Sequence, residues 1–269
     1  MTDAGWTPLQ ALTAARIGLA RSGASLGTTP LLEFRMAHAR ARDAVHHDLG
    51  TLPELEALGL PVVTVRSQAA DRRHYLMRPD LGRVLDATAG PTLASHSGAH
   101  DLAIVVADGL SALAIERHTA PVLMALLPAL RAGGWALAAL IVAHQARVAL
   151  GDAVARALGA RAVLVLIGER PGLSAPDSLG AYLTWTPMAG TTDANRNCVS
   201  NIRPDGLGYQ EAAWKLAFLL NRMRAIGGSG VLLKDGSESP APPALSDPSH
   251  EVASARLDPR PGSGGPISQ

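Results

Sequence analysis

Aromatic residues are scarce, at 3 % of 269 positions, while apolar residues of all kinds reach 47 %. A core must therefore be filled with Ala, Leu and Val. Alanine contributes little area at roughly 25 cal/mol per Å² of apolar surface buried. There is one cysteine, Cys198, which excludes an internal disulfide framework and suits a reducing compartment. No apolar run approaches the roughly 18 residues of a membrane span. The opening MTDAGWTPLQ lacks the basic-then-apolar pattern of a secretory signal. Charge of one sign is also missing: 24 basic against 23 acidic residues give +1, with no footprint for nucleic acid. A soluble, cytoplasmic protein that binds neither membrane nor nucleic acid is expected.

Familiar motifs are absent too. Nine histidines are present, but no HExxH, CxxC or comparable spacing collects them into a metal site. The adjacent His46 and His47 diverge by about 100° on a helix. Neither GxGxxG nor GxxxxGK[ST] occurs. His38 falls on an apolar stripe and reads as a core histidine.

What is present is alternation. Thr29 as N-cap and Pro30 at the first helical position predict a helix to about Asp48. Leu31, Phe34, His38, Ala41 and Val45 form its apolar face. A short helix over 52–60 and a strand at Pro61–Val65 follow. The charged stretch Asp71–Asp80 reads as a connection. From residue 101, LAIVVADG has the character of a strand buried on both faces. A helix is expected over 111–131, a strand over 135–142, a helix over 152–158 and a strand over 162–168. A short strand at 182–186, a helix over 209–225 and a last strand at 231–233 complete the pattern. This implies an α/β fold, a doubly wound, mainly parallel, Rossmann-like sheet with an N-terminal helical segment. The expected division is 1–95, 96–235, and a disordered Pro/Ser/Gly tail over 236–269.

Two strands end in a carboxylate beside glycine: Asp108-Gly109 and Gly168-Glu169. Ligands in open α/β sheets sit beyond the carboxyl ends of the strands. Each acid is therefore a ligand candidate, with a helix cap at Asp108 and a solvated loop acid at Glu169 as the alternatives. A polar segment at 191–206, TTDANRNCVSNIRPDG, holds Cys198, Arg196 and Arg203 and reads as a functional loop. Taken alone, Cys198 reads as a small buried packing residue, the commoner fate of a free cysteine, with no His or Asp beside it in sequence to make it a nucleophile.

Five segments in order resemble the small (light) subunit of ethanolamine ammonia-lyase: residues 15–46, VRSQAADRRHYLMRPDLGR (65–83), VADGLSALAIE (106–116), LIGERPGLSAPDSLGAYLTW (166–185) and RNCVSNIRPDGLGYQEAA (196–213). The resemblance implies conversion of ethanolamine to acetaldehyde and ammonia by an adenosylcobalamin-dependent lyase. It also implies a large partner subunit, a TIM barrel that binds ethanolamine and carries the radical chemistry, so that this chain is inactive alone. It matches Val148, Glu169 and Cys198 to cobalamin-contacting positions, and assigns no catalytic or metal-ligating residue. Enteric members carry a longer N-terminal extension that can direct the enzyme into a bacterial microcompartment; here about fourteen residues precede Ala15. The other reading of the residues is a stand-alone α/β binding module or enzyme using Asp108 and Glu169.

Overall fold

The computed structural model describes residues 6–13, 15–19, 21–234 and 236, all within one compact unit, Met1–Ser237. The expected tail lies outside the described residues except for Gly236. The chain opens with α1 (Thr7–Gln10), a two-residue hairpin of β1 (Arg21–Ser22) and β2 (Ser25–Leu26), α2 (Thr28–His46) and α3 (Pro53–Glu56). Then follow β3 (Val62–Arg66), α4 (Arg72–Met77), α5 (Ala89–Ala94), β4 (His100–Ala107) and α6 (Ala112–Ala132). The rest is β5 (Leu137–His144), α7 (Leu150–Leu158), β6 (Ala160–Gly168), β7 (Leu179–Trp185), β8 (Arg196–Ile202) and α8 (Tyr209–Ile226).

Six strands form one sheet in the order β3-β5-β4-β6-β7-β8. The first four are parallel; β7 pairs antiparallel with β6, and β8 antiparallel with β7. The sheet is thus mixed, parallel only in its first part. Side-chain alternation divides the core in two. From β4 and β6, Leu102, Ile104, Val106, Leu164 and Leu166 enter a layer with α6 and α8. Ala103, Val105, Val163, Val165 and Ile167 enter the opposite layer with α5 and α7. Strands feeding both layers need apolar residues at every position, which explains the unbroken run. By length and composition α6 could cross a membrane. Here its Ile115, Val122, Leu126 and Leu130 lie in the core.

Four local expectations are corrected. Asp71–Asp80 holds α4, because the Asp71 side chain accepts from His74 N at 2.8 Å and starts a helix. The segment 191–206 contains β8, whose Arg196, Val199 and Ile202 turn inward. Residues 230–232 form a 3-10 turn where a strand was expected. The buried positions of α2 are Ala37 and Ala44, while Phe34 and His38 are exposed and stack on each other at 6.4 Å.

The ends of β4 and β6 are pressed together through glycine. A Cβ on Gly109 (φ +57) would lie 2.3 Å from Gly168 O, and one on Gly168 would lie 2.0 Å from Ser111 O. Leu110 N donates to Gly168 O at 2.9 Å. Asp108, only 1 % exposed, accepts from Gln145 N at 2.7 Å and Ala146 N at 2.9 Å. Arg72 Nη1 stands 3.9 Å from this carboxylate and donates to Gly109 O at 2.7 Å, while its Nε donates to Val45 O at 2.6 Å. Removing the carboxylate orphans two buried N–H groups and leaves Arg72 uncompensated. Asp108→Ala should therefore lower the unfolding free energy by about 3–5 kcal/mol. Asp108→Asn, which keeps one acceptor, should cost less. Urea denaturation checks both; a loss under about 1 kcal/mol for Asp108→Ala would remove this carboxylate from the fold's essential contacts.

Candidate functional site

Asp108 is no ligand group: its two oxygens are spent on the backbone of the β5–α7 loop. Glu169 differs, although both acids follow a buried strand. It is half-buried at the end of β6, and its N–H donates to Ser178 O at 2.9 Å. Its Oε2 accepts from the Ser178 hydroxyl, and from Asn201 N at 3.3 Å. Oε1 accepts no hydrogen bond from the described residues. The carboxylate lies over Gly180, where an added Cβ would sit 2.9 Å from Oε1.

The 169–178 loop is tied to the start of α6. The Ser111 hydroxyl donates to Pro176 O at 3.0 Å, and Arg117 Nη1 meets Asp177 Oδ2 at 2.7 Å. His118, buried beneath, places Nε2 3.5 Å from the same oxygen, with Nδ1 2.9 Å from the Tyr209 hydroxyl. Ser178 follows Asp177 directly, so these contacts fix the hydroxyl that holds Glu169.

Cys198 lies on β8 opposite Tyr182 of β7, which in turn pairs with Val165 of β6. The thiol reaches the surface. It is nevertheless held above its ordinary value, chiefly by poor solvation of the thiolate; Tyr182 opposes the shift and Glu169 adds to it. It is a thiol, not a thiolate, at neutral pH. The Tyr182 hydroxyl is pushed up to about 12, first by burial and then by Cys198 and Glu169. Val148 sits in the turn before α7, half-buried, and borders the same core layer as Tyr182.

Glu169 and Cys198 thus belong to one face of β6-β7-β8, and Val148 lines the same side of the sheet farther along. At the far end of this face Arg196 reaches back to α7, pairing with Asp152 at 2.7 and 2.6 Å and with the Thr184 hydroxyl at 2.9 Å. Arg196, expected as a ligand group, is instead a buried tie between β8 and α7. Arg203 hydrogen-bonds Asn201 Oδ1 at 2.9 Å and supports the turn after β8.

A family model for the ethanolamine ammonia-lyase light chain matches residues 3–234. The chain belongs to that family. Proteins called ethanolamine ammonia-lyase small subunit are similar to it along nearly their whole length. The one from Ralstonia nicotianae is 52 % identical over 247 residues, covering 89 % of this chain and 92 % of its own. That from Bradyrhizobium diazoefficiens is 55 % identical over 239 residues, 87 % and 92 % of the two chains. That from Azotobacter vinelandii is 52 % identical over 244 residues, 88 % and 90 %.

Within this light-chain fold, sequence reasoning missed Ser178, Gly180 and Tyr182, which surround Glu169 and Cys198. The only signal was proximity: all three lie in the APDSLGAYLTW segment, whose polar residues alternate with Leu179, Ala181 and Leu183. It also missed a cavity of about 900 Å³ beyond β3 and β5, lined by Arg66, Arg73, Asp48, Asp71 and His144 among others. Its lining carries Arg66, Arg72 and Arg73 together with Asp48 and Asp71.

The His118 contact has a pH signature. Burial lowers its pKa below 6.5, with Asp177 pulling upward. The unfolded chain then binds this proton more readily than the folded one. The stability contribution is complete above about pH 6.5 and is lost as pH falls through the lower folded value. For Asp177, burial acts upward, but the Arg117 hydrogen bond and the His118 and Arg117 charges bring it below 3.8. Its own loss therefore begins only near pH 4. Between pH 7 and 5 the unfolding free energy should decrease, and less steeply in His118→Asn. His144, also lowered by burial, keeps part of the slope. Equal slopes for the two proteins would contradict this account.

Proposed function

We propose that this chain is the small subunit of an adenosylcobalamin-dependent ethanolamine ammonia-lyase. In this reading it joins a large partner subunit and helps enclose the cofactor where the two meet, the complex converting ethanolamine to acetaldehyde and ammonia. Val148, Glu169 and Cys198 are its cofactor contacts. The observation that carries the reading is the light-chain family match over residues 3–234, together with an open sheet face holding Glu169 and Cys198.

The residues fit the group. A corrin carries side-chain amides and broad apolar faces. Glu169 Oε1 can accept an amide N–H, and Gly180 leaves room beside it because a Cβ there would crowd the carboxylate. The neutral Cys198 thiol offers a small, polarisable surface. Val148 adds apolar contact. The bound cofactor supplies the radical through its own Co–C bond. This chain's residues bind, orient and exclude water.

A partner subunit also accounts for the exposed apolar side chains of the N-terminal elements. Leu9, Leu12, Leu32, Phe34 and Met36 are all exposed. Leu32 and Met36 lie one turn apart on α2, so a partner surface could cover both. The reading as a stand-alone enzyme that uses both Asp108 and Glu169 loses its first acid, since Asp108 is a buried structural group.

The purified chain with adenosylcobalamin should release no ammonia from ethanolamine, while the chain co-expressed with its large subunit should. Turnover by the chain alone would sink the proposal. In the complex, Glu169→Gln exchanges a charged acceptor for a neutral amide. That should cost about 1–2 kcal/mol, roughly five- to thirtyfold in the cofactor Kd, at little cost to the melting temperature. An unchanged Kd with a large drop in melting temperature would make Glu169 a purely structural residue.

A further inference from the structure

We infer that Tyr182 is a further cofactor-contacting residue, the floor of the site between Glu169 and Cys198. This rests on the reading that those two residues meet the cobalamin. The argument is one of register. Val165, Tyr182 and Cys198 stand side by side across β6, β7 and β8 on one face of the sheet. Ile167 pairs with Gly180 in the next row, and the Glu169 carboxylate lies over that glycine. Residues two apart on a strand are separated by about 6.6 Å. Directly opposed residues of an antiparallel pair hold their Cβ atoms about 4.5–5.5 Å apart. The carboxylate above Gly180 and the thiol opposite Tyr182 are therefore diagonal neighbours, and Tyr182, two residues from Gly180 on β7 and paired with Cys198, borders both. A ligand that touches both lies beside Tyr182.

The surroundings leave that ring available. The opposite sides of β7 and β8 carry Leu179, Ala181, Leu183, Val199 and Ile202, packed into the layer of α6 and α8. On the Tyr182 side, α7 packs on β6 and β4, and Gly151 brings it against Val165. Tyr182 borders this layer and is only half-buried. It offers an apolar ring edge for a corrin face and a protonated hydroxyl that can donate to a corrin amide carbonyl. A plain packing role between β7 and β8 is the competing account, and it predicts effects on stability alone.

The test uses the complex with the large subunit and has two readouts: adenosylcobalamin Kd, and alkylation of Cys198 by iodoacetamide with and without the cofactor. Cys198 is the only cysteine of the chain, so mass analysis of this subunit reports one site. In the parent complex the cofactor should protect Cys198; no protection would overturn the underlying site reading and this inference with it. Given protection, Tyr182→Leu should raise the Kd about five- to tenfold and weaken the protection. Tyr182→Phe, which keeps the ring, should stay within about threefold of the parent. Melting of each complex controls for folding. Parent-like Kd and protection in Tyr182→Leu would overturn the role of Tyr182 while leaving Glu169 and Cys198 in place. If Tyr182→Leu does not assemble, Tyr182→Phe and Tyr182→His decide. A parent-like Kd in Phe with a raised Kd in His supports contact through the ring; parent-like values in both overturn it.

Discussion

The Asp108 carboxylate, buried at the end of β4, accepts the N–H groups of Gln145 and Ala146, and Arg72 closes over it from α4. Strand β4 leads into α6 on one face of the sheet, and β5 into α7 on the other. A crevice opens where two neighbouring strands send their chains to opposite faces, and α/β proteins commonly bind ligands there. Here the protein's own carboxylate fills it. Gln145 is held in the left-handed region (φ 54), a conformation that costs a non-glycine residue about 1–2 kcal/mol. The two bonds to Asp108 and the bond from the Ser67 hydroxyl to Gln145 O at 2.7 Å offset that strain. Three residues later the same loop presents Val148. On the other side, Gly109 is wedged against Gly168, which sets where Glu169 leaves β6. Two of the three proposed contact residues thus take their positions from one buried ionic group.

The rest of the site follows from incomplete covering of the sheet. Helices α6 and α8 pack along one face as far as β7 and β8, while α7 on the other face packs on β4 and β6. The antiparallel pair therefore has one buried side and one half-open side. Its residues divide accordingly: Leu179, Ala181 and Leu183 enter the layer of α6 and α8, while Gly180, Tyr182 and Thr184 lie on the other side, where Thr184 is buried under Arg196 and Tyr182 is half-buried. The Arg196–Asp152 pair anchors β8 to α7 across this gap with two short bonds and almost no solvent exposure. Burying such a pair contributes little net stability, but removing one partner would leave the other uncompensated. Its effect is to fix the edge strand, and Cys198 with it.

This division also explains what the sequence revealed. Strands β4 and β6 were legible because both of their faces are buried and every position is apolar. Strand β8 was not, since one face is partly open and one inward position is an arginine whose charge is met chiefly by Asp152, 44 residues away. Helix α4 was hidden by its charge, although Asp71 followed by His74 carries a capping signal. The apolar stripe expected on α2 is not its buried face: Leu31, Ala41 and Val45 are only part-buried, Phe34 and His38 are exposed, and the buried positions are Ala37 and Ala44. Asp108 and Glu169 look alike in sequence. Their fates differ because the β5–α7 loop donates two N–H groups to one, and a serine hydroxyl and one N–H hold the other by a single oxygen. Val148 carries no local signal and is proposed through resemblance alone.

Chemistry at the open face is limited by which groups can change protonation. The Cys198 thiol sits above its ordinary value, and the Tyr182 hydroxyl is pushed up to about 12. Effective general acids and bases titrate near the working pH. Neither group does: burial disfavours the charged form of each first, and the nearby Glu169 carboxylate adds a smaller push in the same direction. A neutral donor, a neutral soft surface and a carboxylate with one free oxygen can recognise amides and an apolar ring; they cannot pass protons among themselves at neutral pH. Glu169 adds to this: its charge disfavours ionisation of both neighbours, and its Oε1 accepts no hydrogen bond from the described residues. On the proposed reading, such a site contributes binding and exclusion of water, and reactive groups belong to the cofactor and to the larger subunit.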